Sequence, residues 1–97
     1  MSIGFEWDAA KAAANQGKHS VSFELAARVF ADPLAVSRQD RVEGGEQRWQ
    51  TIGLADGMLL LLVAHTMRDE NDREVIRIIS ARQATRKEKR DYEQENR

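Results

Sequence analysis

The sequence predicts an α+β fold, with two early helices packed on a small, mainly antiparallel sheet and a helix closing the C-terminus. Three observations carry this expectation. Apolar residues recur at helical spacing up to Phe30, then alternate or run continuously from Leu34 to Arg82. Asp56-Gly57 separates two apolar runs, a tight-hairpin signal that makes neighbouring strands antiparallel. The charged tail opens on Thr85-x-x-Glu88, the pattern of a capping box.

Each element has its own reason. Gly4–Trp7 reads as a short opening strand or extended arm that puts Phe5 and Trp7 on one side. Asp8 stands at an N-cap position before the alanine-rich Ala9–Lys18. Ser22 caps a second helix over Phe23–Phe30, with Val21 as a staple and Phe23, Ala26, Ala27 and Phe30 on one face. Asp32-Pro33 ends it, because the residue before proline is pushed out of the α region. Leu34–Arg38 is a strand, Asp40–Glu46 a polar loop around Gly44-Gly45, and Arg48–Leu54 a strand with Trp49, Thr51 and Gly53 on one side. Met58–Arg68 is apolar on both faces, as a central strand would be. A charged loop, Arg68–Glu74, leads to the β-branched strand Val75–Arg82 and then to the helix Thr85–Glu95.

The chain has 97 residues, which suits one domain (1–97) with one modest core. It contains no cysteine, so disulfides, a thiolate nucleophile and cysteine-based zinc sites are excluded. Two histidines without a spaced carboxylate cluster make no metal set, and no cofactor is expected. The N-terminal segment lacks the basic-then-apolar pattern of a signal peptide, and the longest apolar run, Met58–Ala64, is too short to span a bilayer. A cytoplasmic location is the resulting expectation.

The formal net charge of −1 conceals an uneven distribution. Val75–Arg90 holds six basic residues against one acid, a net +5, so the other 81 residues carry −6. A solvated helix surface accounts for most charge runs. Two details point further. Arg82, Arg86 and Arg90 fall four residues apart, one stripe of like charge if a helix begins near residue 82. Arg77 lies inside an apolar strand, on the expected face of Val75, Ile79 and Ala81, where a guanidinium needs an anion. A structural ion pair and a phosphate both satisfy it, and the planar fork suits phosphate. His65 ends an apolar run; a hydrogen-bonded core histidine is the commoner reading and an acid–base group the sharper one. Lys18 and His19 suit a helix C-terminus, and Trp7 and Trp49 suit a core more readily than base stacking.

Taken in order, these residues resemble the BrnT family. Phe5-Glu6-Trp7-Asp8, Lys11, Asn15, Lys18-His19, Val21-x-Phe23-Glu24-x-Ala26 and Val29-Phe30-x-Asp32-Pro33-Leu34 carry the first third of the resemblance. Arg48, Ile52-Gly53-Leu54, His65-Thr66-x-Arg68, Ile76-Arg77-Ile78-Ile79-Ser80-Ala81-Arg82 and Ala84-Thr85-Arg86-x-Glu88-x-Arg90-x-Tyr92-Glu93 carry the rest. The resemblance implies a RelE-like fold and a toxin of a type II toxin–antitoxin system: a metal-independent ribonuclease that inhibits translation. It also implies a cognate antitoxin with a ribbon-helix-helix DNA-binding domain, a heterotetrameric complex, and operator DNA contacted only through the antitoxin. Met67 departs from the family, which often has Glu there; Ser20 replaces a frequent Gly or Asn, and Arg68–Glu74 is longer and more acidic than the pattern.

Metal-free RNA cleavage turns the 2′-OH on the adjacent phosphate, which requires proton transfers and stabilisation of added negative charge. For that chemistry the expected catalytic set is His65 and Glu88 as acid–base groups with Arg68, Arg77, Arg82 and Arg86 on phosphate. Trp7, Lys18, His19, Lys89, Arg90 and Tyr92 are the expected RNA contacts. Strand parity sets His65 and Arg68 on opposite faces unless the strand twists or bulges near residue 66. The alternative, motivated by Met67 and the acidic 68–74 segment, is a catalytically weak interaction module that holds an antitoxin-type DNA-binding protein as corepressor. A stand-alone DNA-binding domain is the weakest reading, since no helix-turn-helix pattern is present.

Overall fold

The computed structural model of the chain describes residues 2–96. Strand β1 (Ser2–Glu6) is followed by helices α1 (Ala9–His19) and α2 (Phe23–Ala27) and a 3₁₀ turn, Arg28–Ala31. Strands β2 (Val36–Glu43), β3 (Glu46–Ala55), β4 (Leu59–Glu70) and β5 (Arg73–Gln83) come next, and α3 (Arg86–Glu95) closes the chain. The strands form one sheet in the order β1-β5-β4-β3-β2, with β1 parallel to β5 and the other pairs antiparallel.

The helix caps act as their sequences predict. Asp8 Oδ1 accepts the Lys11 N–H at 3.0 Å, and Ser22 Oγ accepts the Leu25 N–H at 3.0 Å. Thr85 and Glu88 close a reciprocal capping box on α3. The helix opened by Ser22 is shorter than expected. It tightens to 3₁₀ at Arg28 as the chain turns to bring Asp32 onto the Leu34 and Leu54 N–H groups, at 2.9 and 2.8 Å.

Two segments expected as loops are strand. Residues 40–43 and 46 continue β2 and β3 around Gly44-Gly45, and residues 68–70 and 73–74 continue β4 and β5 around Asn71-Asp72. Both turn pairs have positive φ, 61° and 78° in the first and 53° and 59° in the second, the sense that matches hairpin twist. These hairpin ends run past the core, so nothing requires one of their faces to be apolar.

The two sheet faces differ in what covers them. Leu61, Val63, Ile76, Ile78 and Ala81 pack with Val21, Phe23, Ala26 and Val29 of the N-terminal region. On the other face, Ile52 and Leu62 pack against Tyr92 of α3. The middle strand, β4, is thus covered on both faces, as its continuous apolar run predicts. A bulge shifts β5: Ala64 pairs with Ser80, but His65 pairs with Ile78, so Ile79 is the extra residue. The bulge reverses the phase of β5, and Ala81 joins the core face instead of sharing the face of Arg77. Asn15 docks α1 there, donating to the carbonyls of Val21 and Ala81 at 2.9 Å each and accepting the Ala81 N–H at 3.1 Å. Because β1 pairs with β5 only as far as Arg77, α1 takes over the β5 edge beyond that point.

Candidate nucleic-acid interface

Helix α3 covers only the half of its face that holds Ile52 and Leu62. The other half is open and crossed by a polar row. Glu6 pairs with Arg77, Arg77 pairs with Thr66, and Arg48 lies one step past the Trp49–His65 pair, beside Thr66. Arg48 and Arg77 line one cleft of about 190 Å³ with Lys11 and Asp8 of the adjoining helix start and with Ile78 and Ile79. A neighbouring cleft of about 240 Å³ continues along α1, where Lys11, Lys18 and His19 meet Ile79 and Ser80. Three cations therefore converge on one cleft, because the strand register aligns two and the Asn15 dock positions the third.

Carboxylates from the β2–β3 hairpin reach this cluster. Arg77 Nη2 is hydrogen-bonded to Glu46 Oε1, and Arg48 Nη1 lies 3.3 Å from Glu43 Oε2. The Arg48 Nε is buried and has no partner among the described residues. A hydrogen bond from Arg41, then the charges of Arg48 and Lys11, hold the Glu43 carboxyl below its ordinary pKa. The arginines are thus loaded with exchangeable surface carboxylates, a condition in which a phosphate competes on even terms.

The expected site residues separate into several places. His65 is fully buried on the opposite face, edge-on to Phe30 at a centroid distance of 4.9 Å. Its Nε2 bonds with Thr51 Oγ1 at 2.7 Å, and burial lowers its pKa against the opposing pull of the Thr66 carbonyl. It is a satisfied core histidine out of reach of the open face, which corrects its assignment as the acid–base group. The strand has no bulge of its own to rejoin His65 and Arg68. Arg68 lies at the open end of the sheet, forked onto Glu6 at 2.8 and 2.9 Å and paired with Glu70.

Arg82 is on β5, not on the last helix, so no stripe with Arg86 and Arg90 exists. It forks onto Glu88 at 2.7 and 2.9 Å. That pair, with burial opposing it and the Thr85 bonds supporting it, pulls the Glu88 carboxyl down to about 2. A carboxylate so strongly committed is a poor proton acceptor at neutral pH. Tyr92 is buried, and its hydroxyl donates to Asp32 Oδ2 at 2.8 Å. Burial and that bond raise its pKa to about 12, and it contributes to packing instead of meeting RNA. Arg86 and Lys89 line a separate cleft of about 560 Å³ between α3 and the β3–β4 turn. Arg90 is exposed on α3. Trp7 packs edge-on against Phe23 at 6.0 Å. Of the expected set, Arg77 lies in the open cleft and Lys18 and His19 in the neighbouring one, while Arg68 shares the open face but is committed to Glu6 and Glu70.

Sequence reasoning gave no role to Lys11, Arg48, Glu43 or Glu46. Alternation along β3 places Arg48 with Ile52, but only the register of three strands sets it beside Arg77. Met67 packs toward the core, away from the open cleft. Among the described residues no group of three or more His, Cys, Asp or Glu is placed to hold a metal ion, and no helix is long and apolar enough to cross a membrane.

The fold and cleft define an α+β protein with a solvent-facing cleft lined by Lys11, Arg48 and Arg77 on one sheet face. Comparison with known proteins makes the class specific. Residues 7–88 match the family model of the ribonuclease toxin BrnT of type II toxin–antitoxin systems, and the chain belongs to that family. It is also similar to the crystal structure of the Brucella abortus ribonuclease toxin BrnT, with a TM-score of 0.58 and 18% identity over 89% of this chain and 100% of that one. Identity at this level shows a shared fold. No curated protein matches the chain.

Proposed function

We propose that this protein is an active ribonuclease that binds single-stranded RNA on the open sheet face, cleaves it without a metal, and thereby inhibits translation. The observation that carries the reading is the convergence of Lys11, Arg48 and Arg77 on one cleft, in a chain whose net charge is −1. Arginine forks suit phosphate oxygens, and cations already fixed around a cleft stabilise the charge that builds on phosphorus. Transesterification by the RNA's own 2′-OH requires a proton acceptor, a proton source and charge stabilisation, roles that side chains and solvent water can fill. Lys18 and His19 extend the positive track along α1, while Arg82 is committed to Glu88 and Arg86 and Lys89 line the separate α3 cleft.

A cognate antitoxin neutralises the toxin in this reading by covering the same face with an acidic or amphipathic segment. The antitoxin carries a ribbon-helix-helix DNA-binding domain and dimerises through it, which makes a heterotetramer with operator contact through the antitoxin alone. The frame is of the RelE kind, one domain over residues 1–97, and acts in the cytoplasm. Purified protein incubated with total RNA in EDTA is expected to give discrete cleavage products, and induced expression is expected to arrest growth. Arg77→Ala, folded by circular dichroism, is expected to relieve both; undiminished cleavage by this variant would remove the cleft from the mechanism.

A further inference from the structure

With His65 in the core and Glu88 committed to Arg82, the reaction lacks a proton acceptor. The open face holds few carboxylates, and their partners distinguish them. Both oxygens of Glu6 are taken by Arg68, at 2.9 and 2.8 Å. Both oxygens of Glu88 are taken by Arg82, and one also accepts the Thr85 N–H. Glu43 is shared by Arg41 and Arg48, both through Oε2, and Asp8 accepts the Lys11 N–H through Oδ1 as the cap of α1. Glu46 differs in its partner: its Oε1 is bonded to Arg77 Nη2, and its Oε2 has no hydrogen bond among the described residues. It follows directly on the Gly44-Gly45 turn, at the start of β3.

We infer that Glu46 is the general base of the RNA cleavage, acting beside Arg77; the inference rests on the reading of the open face as the RNA site. In RNA the attacking 2′-OH neighbours the 3′-phosphate of the same nucleotide. A base must therefore sit next to whichever cation holds that phosphate, within hydrogen-bond reach of the hydroxyl. Glu46 is the carboxylate in contact with Arg77, and one of its oxygens is free to accept the proton. The Glu46 carboxylate takes the 2′-OH proton, and the 2′-oxygen forms a bond to phosphorus while the P–O5′ bond breaks. The products are a 2′,3′-cyclic phosphate and a 5′-hydroxyl. The leaving 5′-oxygen takes its proton from solvent water, and the proton on Glu46 returns to solvent. Arg77 gives up its surface carboxylate for the phosphate and holds the charge that grows on it.

The test compares wild type, Glu46→Gln, Glu46→Asp and Glu46→Ala on a fluorophore–quencher RNA oligonucleotide in EDTA. Binding is read separately with the same oligonucleotide carrying 2′-deoxy substitutions, which cannot react. Glu46→Gln is expected to keep the fold and to bind the deoxy oligonucleotide at least as tightly as wild type, having lost a negative charge. Its kcat is expected to fall about 10²–10⁴-fold, and it should lose the acid-side limb of the pH–kcat profile that wild type shows. Glu46→Asp should recover part of the rate, and Glu46→Ala should behave as Glu46→Gln. Wild-type kcat in Glu46→Gln overturns the inference, as does a loss confined to KM and to deoxy-oligonucleotide binding, which would mean that Glu46 only positions Arg77. Absence of cleavage by wild type overturns the ribonuclease reading itself, an outcome distinct from both.

Discussion

Asn15→Ala is the most informative single perturbation of the fold, because one side chain joins α1 to the bulged edge of β5. Asn15 is 6% exposed and makes three hydrogen bonds, at 2.9, 2.9 and 3.1 Å, to Val21 and Ala81. A net contribution of about 0.5–1.5 kcal/mol per bond puts the loss near ~3 kcal/mol, because truncation leaves buried backbone groups unpaired. In a domain of this size each kcal/mol moves Tm by about 4–8 °C, so the midpoint should fall by roughly 12–24 °C. Urea denaturation followed by the fluorescence of Trp7 and Trp49 measures the change directly. A folded Asn15→Ala protein within about 1 kcal/mol of wild type would refute the claim that this residue anchors the helix. The variant should also bind RNA more weakly, since Lys11 and Lys18 ride on the helix it holds.

Three further outcomes follow from local geometry. Gly53→Ala should destabilise by about 1–3 kcal/mol in the same urea assay, because a Cβ there would lie 2.8 Å from Val29 Cγ1 and 3.1 Å from Ala35 Cβ. Tyr92→Phe should cost about 1 kcal/mol by removing the bond to Asp32 while keeping the ring against Ile52 and Leu62. Stability should fall with acid in two stages. The folded-state pKa of His65 lies below its ordinary 6.5, so its contribution is complete above that pH and declines below it. Glu88, shifted from 4.5 to about 2, contributes fully above 4.5 and loses its effect as pH falls toward 2. A pH series of urea midpoints checks both; Glu88→Gln should shrink the lower stage, to which Glu6 and Asp32, also held below their ordinary values, contribute, and should leave the upper stage unchanged.

Much of the fold was legible because its signals are local. Asp8, Ser22 and the Thr85–Glu88 pair each act within one helical turn, and Asp56-Gly57 forms a turn whatever lies around it. The extended hairpins of residues 38–48 and 66–76 were less legible. Their charged residues match a loop in composition, and Asn71-Asp72 lacks the glycine that usually marks a tight turn. The Ile79 bulge has no residue signature, and it alone decides which way Ala81 points. The site was harder still. A histidine after an apolar run reads more often as core than as catalyst, and only the register, which brings Thr51 to its Nε2, decides between the two. Arg48 and Arg77 are neighbours only through β4, a relation no spacing in the chain expresses. The +5 window proved to be divided among ion pairs, a separate α3 cleft and the open face, with only Arg77 at the convergence point.

The account stands most directly on the cleavage rate of a double variant, Arg48→Ala with Arg77→Ala, measured on single-stranded RNA in EDTA beside Arg86→Ala with Lys89→Ala. The open face as the RNA site predicts that the first, folded by circular dichroism, loses about 10²-fold or more in rate while the second stays within a few-fold of wild type. A fully active Arg48/Arg77 variant, with activity lost instead in the Arg86/Lys89 variant, would contradict it and move the site to the α3 cleft.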